Sequence, residues 1–235
     1  KIIEKMLLSG VNVFRINFSH ADYSEITKNI EMIRSIDRKL QLNTAILADL
    51  QGPKLRIGKI KEGTIVNPGE KVLFKTDSSF EGNDKKAYMN YKNFPKDVTK
   101  GERILLDDGK LIFEIINTNK NNEVEAKVIQ GGEFKSNKGV NLPNTKISLP
   151  ALTEKDIKDA EFIFSQDIDW IALSFVRNSQ DIIDLKQLMA KHLERKIPII
   201  AKIEKPEAIE NIEKIIAYSD GIMVARGDLG VEVPA

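Results

Sequence analysis

The chain has 235 residues, 41% hydrophobic and 30% charged, a composition typical of soluble globular proteins with one or two domains. Lys and Arg number 36 against 35 Asp and Glu, so no charge excess favours nucleic acid or an anionic membrane as a partner. Cysteine is absent, which excludes disulfides and thiol catalysis, and no stretch approaches the ~20 apolar residues of a membrane span.

Both ends of the chain predict strands that alternate with helices. A helix over 1–10 is followed by a strand over 11–19, a helix over 23–40 and a strand over 44–50. Strands joined by helices of this length must run parallel and be covered by those helices, so the pattern predicts an α/β fold. The later elements are a strand over 169–176, a helix over 179–194, a strand over 197–204, a helix over 206–219 and a strand over 221–227.

The middle of the chain predicts short strands separated by turns. "DDGK" and "NTNKNN" are typical of hairpin turns, and no long amphipathic helix interrupts this region. We therefore expect a small all-β domain over 53–149, inserted between α/β segments 1–52 and 150–235. The insertion follows the strand that ends at Leu50, and the carboxyl ends of parallel strands carry the active site in α/β barrels and open sheets.

The number of parallel strands predicts an incomplete barrel. A closed (β/α)₈ barrel needs eight strands and about 250 residues, whereas the α/β segments here provide five strands and about 140 residues. The chain is therefore expected to be a piece of a larger protein.

The stretch "PIIAKIEKPEA", residues 198–208, begins as a buried strand and ends in charge. Side chains in a strand alternate faces with period two, so Lys202 and Glu204 share a face. A surface ion pair where the strand leaves the core would account for these two charges alone. The alternative is a site that binds phosphate and metal, which the other strand ends would have to support.

Polar residues also accompany the other predicted strands. Asp49 and Asp228 could each cap a turn, and Asn17, Ser19 and His20 could be ordinary loop or backbone-bonding residues. Because the carboxyl ends of parallel strands meet at one edge, the joint pattern nevertheless favours a functional site. The residues are Arg15, Asn17, Ser19 and His20 in the first strand, Asp49 in the second, and Arg226 and Asp228, with Gly227 and Gly230, after the last.

This set of side chains suits phosphoryl transfer. Glu204 and Asp228 offer hard oxygen ligands for Mg²⁺, which prefers one or two carboxylates together with water and substrate oxygens. Lys202 supplies a compact positive charge for the transferred group, and Arg15 a bidentate clamp for phosphate. No Walker-type glycine-rich loop occurs, so the sequence is not that of a P-loop enzyme.

The residues resemble the pyruvate kinase family closely, over nearly the whole chain. The resemblance implies a (β/α)₈ barrel with a β-barrel lid, of which this chain would hold strands two to six and the complete lid. The first strand, the last two strands and the C-terminal domain would be missing, so the fragment should bind poorly and be inactive. The matching segments, in family order, are "NVFRINFSH", "GPKLRIG", "KGVNLPN", "DWIALSFVR", "AKIEKPEAI" and "DGIMVARGDLGVEVPA".

The resemblance implies transfer of the phosphoryl group of phosphoenolpyruvate to ADP, giving pyruvate and ATP in glycolysis. Lys202 would be the catalytic lysine, Arg15 the phosphate-contacting arginine, and Glu204 and Asp228 the ligands of Mg²⁺ or Mn²⁺. The remaining implied positions are Ala225, Arg226 and Gly227 for the substrate carboxylate, Asn17, Phe18, Ser19, His20, Arg56 and Lys138 for the nucleotide, and Asp108 for a lid acid.

One departure from the family concerns the monovalent cation. The family's K⁺ positions match Asn17, Ser19, Asp49 and Leu50, but the glutamate that usually follows them is Lys54 here. We hypothesise that the Lys54 ammonium replaces K⁺, because lysine carries a compact monovalent charge on a flexible stem. The competing interpretation is that Lys54 is solvated and K⁺ still binds.

Two other functions remain open at this point. A Mg²⁺-dependent aldolase or lyase that forms an enolate of pyruvate would share the carboxylate pair, but it would not need a nucleotide-closing lid. A non-catalytic binding module is the second, although one Trp and four Tyr offer no aromatic cluster for it. The resemblance also implies a cytoplasmic location and a homo-oligomer, and open sheet edges favour self-association.

Overall fold

The structure is a computed structural model and describes residues 1–233. Its helices are α1 Ile2–Leu8, α2 Tyr23–Leu40, α3 Phe94–Asp97, α4 Glu154–Phe164, α5 Ser179–His192, α6 Pro206–Glu210, α7 Ile212–Tyr218 and α8 Arg226–Glu232, with a 3₁₀ turn at Phe18–His20. Its strands are β1 Val13–Asn17, β2 Ala45–Asp49, β3 Ile65–Val66, β4 Lys71–Lys75, β5 Lys86–Tyr88, β6 Arg103–Leu106, β7 Leu111–Thr118, β8 Glu123–Gln130, β9 Gly132–Glu133, β10 Val140–Asn141, β11 Trp170–Leu173, β12 Ile199–Ile203 and β13 Gly221–Val224.

The described residues divide into two compact units. The first unit consists of Lys1–Pro53 and Pro150–Ala225, and the second of Lys54–Leu149 with residues 226–233. The last two residues of the predicted segment 150–235 lie outside the described residues. None of the helices in residues 1–233 is long and apolar enough to cross a membrane.

The first unit combines a parallel sheet with helices α1, α2 and α4 to α7, which confirms the predicted α/β class. Within the described residues the strand order is β1-β2-β11-β12-β13, and every neighbouring pair is parallel. The central strands β2 and β11 are almost entirely buried, as expected for parallel strands with both faces covered. β1 and β13 lie at the edges, and Val13, Ile222 and Val224 on these strands are exposed.

Capping side chains set where the long helices of the first unit begin. The Asp22 carboxylate accepts hydrogen bonds from the amides of Ser24 and Glu25 at the start of α2. Thr153 begins α4, and Asn178 begins α5, each with a capping box completed by an aspartate. These side chains satisfy amides that have no partner within the helix.

The second unit is mainly antiparallel. Among the described residues its larger sheet has the order β10-β6-β7-β8-β4-β5, and β3 pairs with β9. Both predicted hairpin turns form: one joins β6 to β7 with Asp107 and Asp108 at positive φ, and the other joins β7 to β8 with Lys120 at positive φ. Phe74 packs edge-on against Phe94 and Phe113 in the centre of an apolar core.

Two elements near the end of the chain differ from the sequence prediction. The predicted helix over 206–219 is interrupted at Asn211, whose amide group donates hydrogen bonds to the carbonyls of Arg177 and Glu207. Such local bonds compete with the helical ladder, which explains the break. The predicted strand over 221–227 ends at Val224, the last residue paired with β12, and Arg226 begins a helix instead.

Candidate active site

The period-two pattern of β12 places its charged residue as the sequence predicts. Ile199, Ala201 and Ile203 are buried, whereas Lys202 lies on the opposite, partly open face. Glu204 directly follows the strand and is only 2% exposed. The Lys202 Nζ lies 3.1 Å from Glu204 Oε1, so the charged end of the strand is an ion pair inside the first unit and not one on its surface.

The Lys202 ammonium has two further partners, from two other strands of the same sheet. It lies 2.9 Å from Ser174 Oγ just after the adjacent strand β11, and 3.2 Å from Asp49 Oδ1 at the end of β2, one strand further along the sheet. The Lys202 side chain is 12% exposed. Its three protons therefore have three oxygen partners, and the charge is held almost out of water.

The Asp49 carboxylate bridges two cations. Its Oδ2 accepts from Arg15 Nε at 2.6 Å and lies 2.5 Å from Arg15 Nη2, while Oδ1 faces Lys202. The pairing of β1 with β2 sets this contact, because Arg15 lies opposite Leu47, two residues before Asp49 on the same face. Asp49 is 2% exposed, whereas the Arg15 side chain is 54% exposed, so the guanidinium is anchored at a buried acid and open to solvent.

Ser174 is a member of this cluster that the sequence prediction missed. Its hydroxyl donates to the Leu50 carbonyl at 2.6 Å and accepts from Lys202, which joins the ends of three strands. Its position could have been found from the sequence, because period-two alternation puts Trp170, Ala172 and Ser174 on the same face. The next amide, that of Phe175, donates to Glu204 Oε2 at 2.7 Å, so both oxygens of that carboxylate have partners.

Gly52 lets the chain pass close to this cluster. It has φ +69, and a Cβ built on it would lie 2.9 Å from Phe175 Cδ2 and 3.0 Å from Ser174 Cβ. Its amide donates to Oδ1 of the buried Asp156 at 3.0 Å. Glycine is required both by the backbone angle and by the lack of space.

The turn after β1 carries four of the residues predicted to bind the nucleotide. Asn17 Oδ1 accepts from the Ser19 amide at 3.0 Å, Phe18 is fully buried, and His20 is exposed. Asn17 lies opposite Asp49 in the sheet, so the turn begins beside the charged cluster. The structure thus brings the end of β1 and the cluster together within the first unit.

The second unit contains the other predicted nucleotide and lid residues. The Arg56 amide donates to Asn90 Oδ1 at 2.8 Å, and Asn90 Nδ2 donates to the Lys54 carbonyl at 3.2 Å. Lys138 Nζ lies 2.9 Å from Asp107 Oδ1, and its hydrogen bond lowers the pKa of that carboxyl group. Asp108, the predicted lid acid, is the exposed neighbour of Asp107 in the hairpin turn.

The residues after β13 belong to both units. Ala225 closes the first unit, and its amide donates to the Ile203 carbonyl at 3.2 Å. Arg226, Gly227 and Asp228 form the start of α8 in the second unit, and Asp228 is exposed. The structure therefore brings Arg15, Lys202 and Glu204 together, and it places Asp228 in the other unit.

The charged cluster can serve a metal only in part. Within residues 1–233, no group of three or more His, Asp or Glu side chains could hold an ion. Glu204, beside the Lys202 ammonium, offers hard carboxylate oxygens. Mg²⁺ prefers such oxygens when water and substrate oxygens complete its coordination.

Comparisons with known proteins agree with the geometry of the first unit. The model of the family "Pyruvate kinase, barrel domain" matches residues 1–235. Three similar relatives are pyruvate kinases: those of Staphylococcus saprophyticus (42% identity), Corynebacterium efficiens (45%) and Clostridium perfringens (38%). The alignments cover 99–100% of this chain but only 40–49% of the relatives, so the chain spans less than half of their length. The predicted resemblance is confirmed, and the chain belongs to the pyruvate kinase family.

Proposed function

We propose that the protein containing this chain transfers the phosphoryl group of phosphoenolpyruvate to ADP, giving pyruvate and ATP. One observation carries the proposal: at the carboxyl ends of strands in one parallel sheet, Asp49 binds both Arg15 and Lys202, and Lys202 in turn binds Glu204. Two cations and two carboxylates in one mostly buried site can accept an anionic group and a divalent ion together. Membership of the pyruvate kinase family supports assigning a kinase function to this site.

The proposed architecture is an incomplete (β/α)₈ barrel with an inserted β-barrel lid over 53–149. The barrel segments are 1–52 and 150–235, as expected from the sequence. The parallel order of the sheet in the first unit and the antiparallel sheets of the second support this architecture. We expect the chain alone to have little or no activity.

Two cations are proposed to act on the phosphoryl group. Among the described residues, the Arg15 guanidinium contacts Asp49 through Nε and Nη2, which leaves Nη1 for a phosphoryl oxygen. Lys202 would exchange one of its three oxygen partners for the transferred group. Since Asp49 and Ser174 already fix the ammonium, little reorganisation is needed as negative charge develops in the transition state.

The divalent ion, Mg²⁺ or Mn²⁺, is proposed to be held by Glu204 and Asp228. When bound, it would neutralise charge on the phosphate and substrate oxygens. Ala225, Arg226 and Gly227 are proposed to seat the substrate carboxylate with their backbone. Arg56, Lys138 and the turn Asn17–His20 are proposed to bind ADP, and Asp108 to act from a lid that excludes water.

Independence from K⁺ is a further part of the proposal. The family's cation positions correspond to Asn17, Ser19, Asp49 and Leu50, and Lys54 follows where a glutamate is usual. We propose that the Lys54 ammonium takes the place of the ion. Both Asp49 oxygens already have cationic partners in the structure, which reduces the charge left for K⁺.

A cytoplasmic location and a homo-oligomer are also proposed. In the described sheet, β1 and β13 are edge strands with exposed apolar residues, and such edges favour pairing with another chain. Light scattering that gives a monomer mass for chain 1–235 would count against self-association.

The test is a coupled assay of pyruvate formation by the full-length protein with phosphoenolpyruvate, ADP and Mg²⁺. Pyruvate that forms only when ADP is present, with equal amounts of ATP, supports the kinase. Pyruvate formed without ADP would be hydrolysis with release of inorganic phosphate and would contradict the kinase. The aldolase or lyase alternative, which family membership does not favour, predicts no ADP-dependent pyruvate and no ATP. No reaction with any nucleotide would favour a binding module.

A further inference from the structure

A buried acid on α4 lies beneath the turn that follows β1. Asp159 is 1% exposed, and its two oxygens have different partners within the first unit. Oδ1 accepts a hydrogen bond from the Tyr23 hydroxyl at 2.7 Å, and Oδ2 accepts from Lys155 Nζ at 2.6 Å. Burying a carboxylate is costly unless it is paired and hydrogen-bonded, and this one has both kinds of partner.

Lys155 connects this acid to the backbone of the turn. The same Nζ donates to the Phe18 carbonyl at 2.6 Å, so one ammonium joins α4 to the middle of the segment 17–20. A charged donor to a carbonyl is stronger than an ordinary hydrogen bond. The turn is therefore held in part through its main chain.

Aromatic contacts hold both ends of the same segment. The Tyr23 ring stacks on Phe162 of α4, with centroids 4.2 Å apart and planes 9° from parallel. The Phe18 ring also packs against Phe162, with 6.3 Å between the two centroids. Both ends of the segment from Phe18 to Tyr23 are therefore packed against the same residue of α4, Phe162.

We propose that Asp159, Lys155 and Tyr23 are positioning residues for nucleotide binding, because they fix the turn Phe18–His20 whose residues would contact ADP. This inference rests on the proposed function. None of the three needs to touch ADP. They act on ADP binding indirectly, through the Phe18 carbonyl and through Tyr23 at the start of α2. Their loss should therefore weaken the binding of ADP more than that of phosphoenolpyruvate.

The test uses the full-length protein with Asp159→Asn and Lys155→Met, and with Lys158→Met as the matched control. Lys158 is exposed on the same helix, one residue before Asp159. Lys155→Met removes the bonds to the Phe18 carbonyl and to Asp159 Oδ2, and it leaves the Tyr23–Asp159 bond in place. It therefore reports on the turn even if Asp159→Asn folds poorly.

Two readouts are compared. Hydrogen exchange at the amides of residues 18–22 should accelerate about ten-fold in Lys155→Met, because the turn loses the charged hydrogen bond to the Phe18 carbonyl. The KM for ADP should rise about five-fold or more, because the loosened turn is the segment that would contact ADP. The KM for phosphoenolpyruvate should stay within about two-fold, because the turn is not proposed to contact that substrate. The control should change neither quantity.

Each result decides the inference. Unchanged exchange in Lys155→Met, or faster exchange with an unchanged KM for ADP, would overturn it. An equal rise in both KM values would indicate a merely structural role and would also overturn it. Failure of the proposed function is separate, since an inactive wild-type protein would show no KM at all while its exchange pattern could still be measured.

Discussion

Lys202 and Asp49 are 153 positions apart in the chain, yet Nζ and Oδ1 are 3.2 Å apart in the structure. Arg15 binds the other oxygen of the same carboxylate, which is buried. Asp49 therefore neutralises two cations that would otherwise repel each other. The first prediction concerns the cost of losing this acid.

Asp49→Asn should lower the free energy of unfolding by about 3 kcal/mol, because Arg15 loses its buried carboxylate partner and the buried Lys202 ammonium keeps only Glu204 as an anionic partner. Glu4→Gln is the matched control, since the Glu4–Lys39 pair is exposed and longer at 3.4 Å. The control should change stability by less than about 0.5 kcal/mol. Urea denaturation of chain 1–235 measures both, and equal effects would refute the role assigned to Asp49.

Lys202→Met should reduce the kcat of the full-length protein by a factor of about 1,000 or more, as expected when a preorganised charge is removed from a transition state. Lys202→Arg should recover only part of this activity, because the planar guanidinium cannot reproduce the contacts of an ammonium. Lys214→Met, on the exposed side of α7, is the control. A coupled pyruvate assay measures all three, and near-normal kcat in Lys202→Met would exclude a catalytic role.

Gly52→Ala should destabilise the chain by about 2–4 kcal/mol, since the new Cβ combines an unfavourable φ with overpacking against Phe175 and Ser174. Gly10→Ala separates the two causes, because Gly10 has φ +90 but a Cβ added there would meet nothing within 4 Å. It should cost only about 1 kcal/mol, which is the contribution of the backbone angle. Thermal and urea unfolding of the two variants give the comparison, and similar losses would show that space at Gly52 is not limiting.

Tyr91 should make stability fall at alkaline pH. Burial, together with the hydrogen bond to Asp97, raises the pKa of its hydroxyl to about 12. Because the unfolded value is about 10, the stabilisation is complete below pH 10 and is lost as the pH rises through 12.

Tyr91→Phe should lower the free energy of unfolding by about 1.5–3 kcal/mol near neutral pH, the usual contribution of a hydrogen bond to a charged group. The variant should also show a shallower loss of stability above pH 10. Tyr218→Phe, at an exposed position, is the control. Urea unfolding across this pH range is the measurement, and identical slopes for wild type and Tyr91→Phe would contradict the prediction.

The full-length protein should be fully active in tetramethylammonium buffer without K⁺, because the Lys54 ammonium supplies the charge. Lys54→Glu should lose activity in that buffer and regain it when K⁺ is added. Lys59→Glu, nearby in sequence, controls for the charge change. A strong rise in the wild-type rate on addition of K⁺ would show that the ion still binds and that Lys54 does not replace it.

The sequence predicted the α/β class because strands and helices alternate along the chain, and the charge at the strand ends because side chains in a strand alternate faces with period two. Lys202 and Glu204 could be assigned to one face of their strand in this way, and Arg15, Asn17 and Ser19 to one face of theirs. Ser174 was missed because a single hydroxyl after a strand carries no charge, and its role appears only when the partners of Lys202 are known. The break at Asn211 was missed because the apolar spacing continues across it.

The positioning residues could not be found from the sequence for a different reason. Tyr23 and Asp159 lie 136 positions apart, and nothing in their local patterns connects them. Lys155 and Asp159 are spaced as an ordinary helical ion pair, which usually lies on a solvated face. Only the fold shows that this face of α4 is covered by the turn after β1.

The insertion also has a consequence for how the chain folds. β2 and β11 are adjacent in the parallel sheet, and Leu47 pairs with Trp170 although the residues of 54–149 intervene. Closing a flexible loop of about a hundred residues carries an entropy cost that a compact insertion largely removes. We therefore expect the hairpins of the insertion to form early and the parallel strands to associate late, so a nascent chain would keep its charged strand ends apart until synthesis has passed β11.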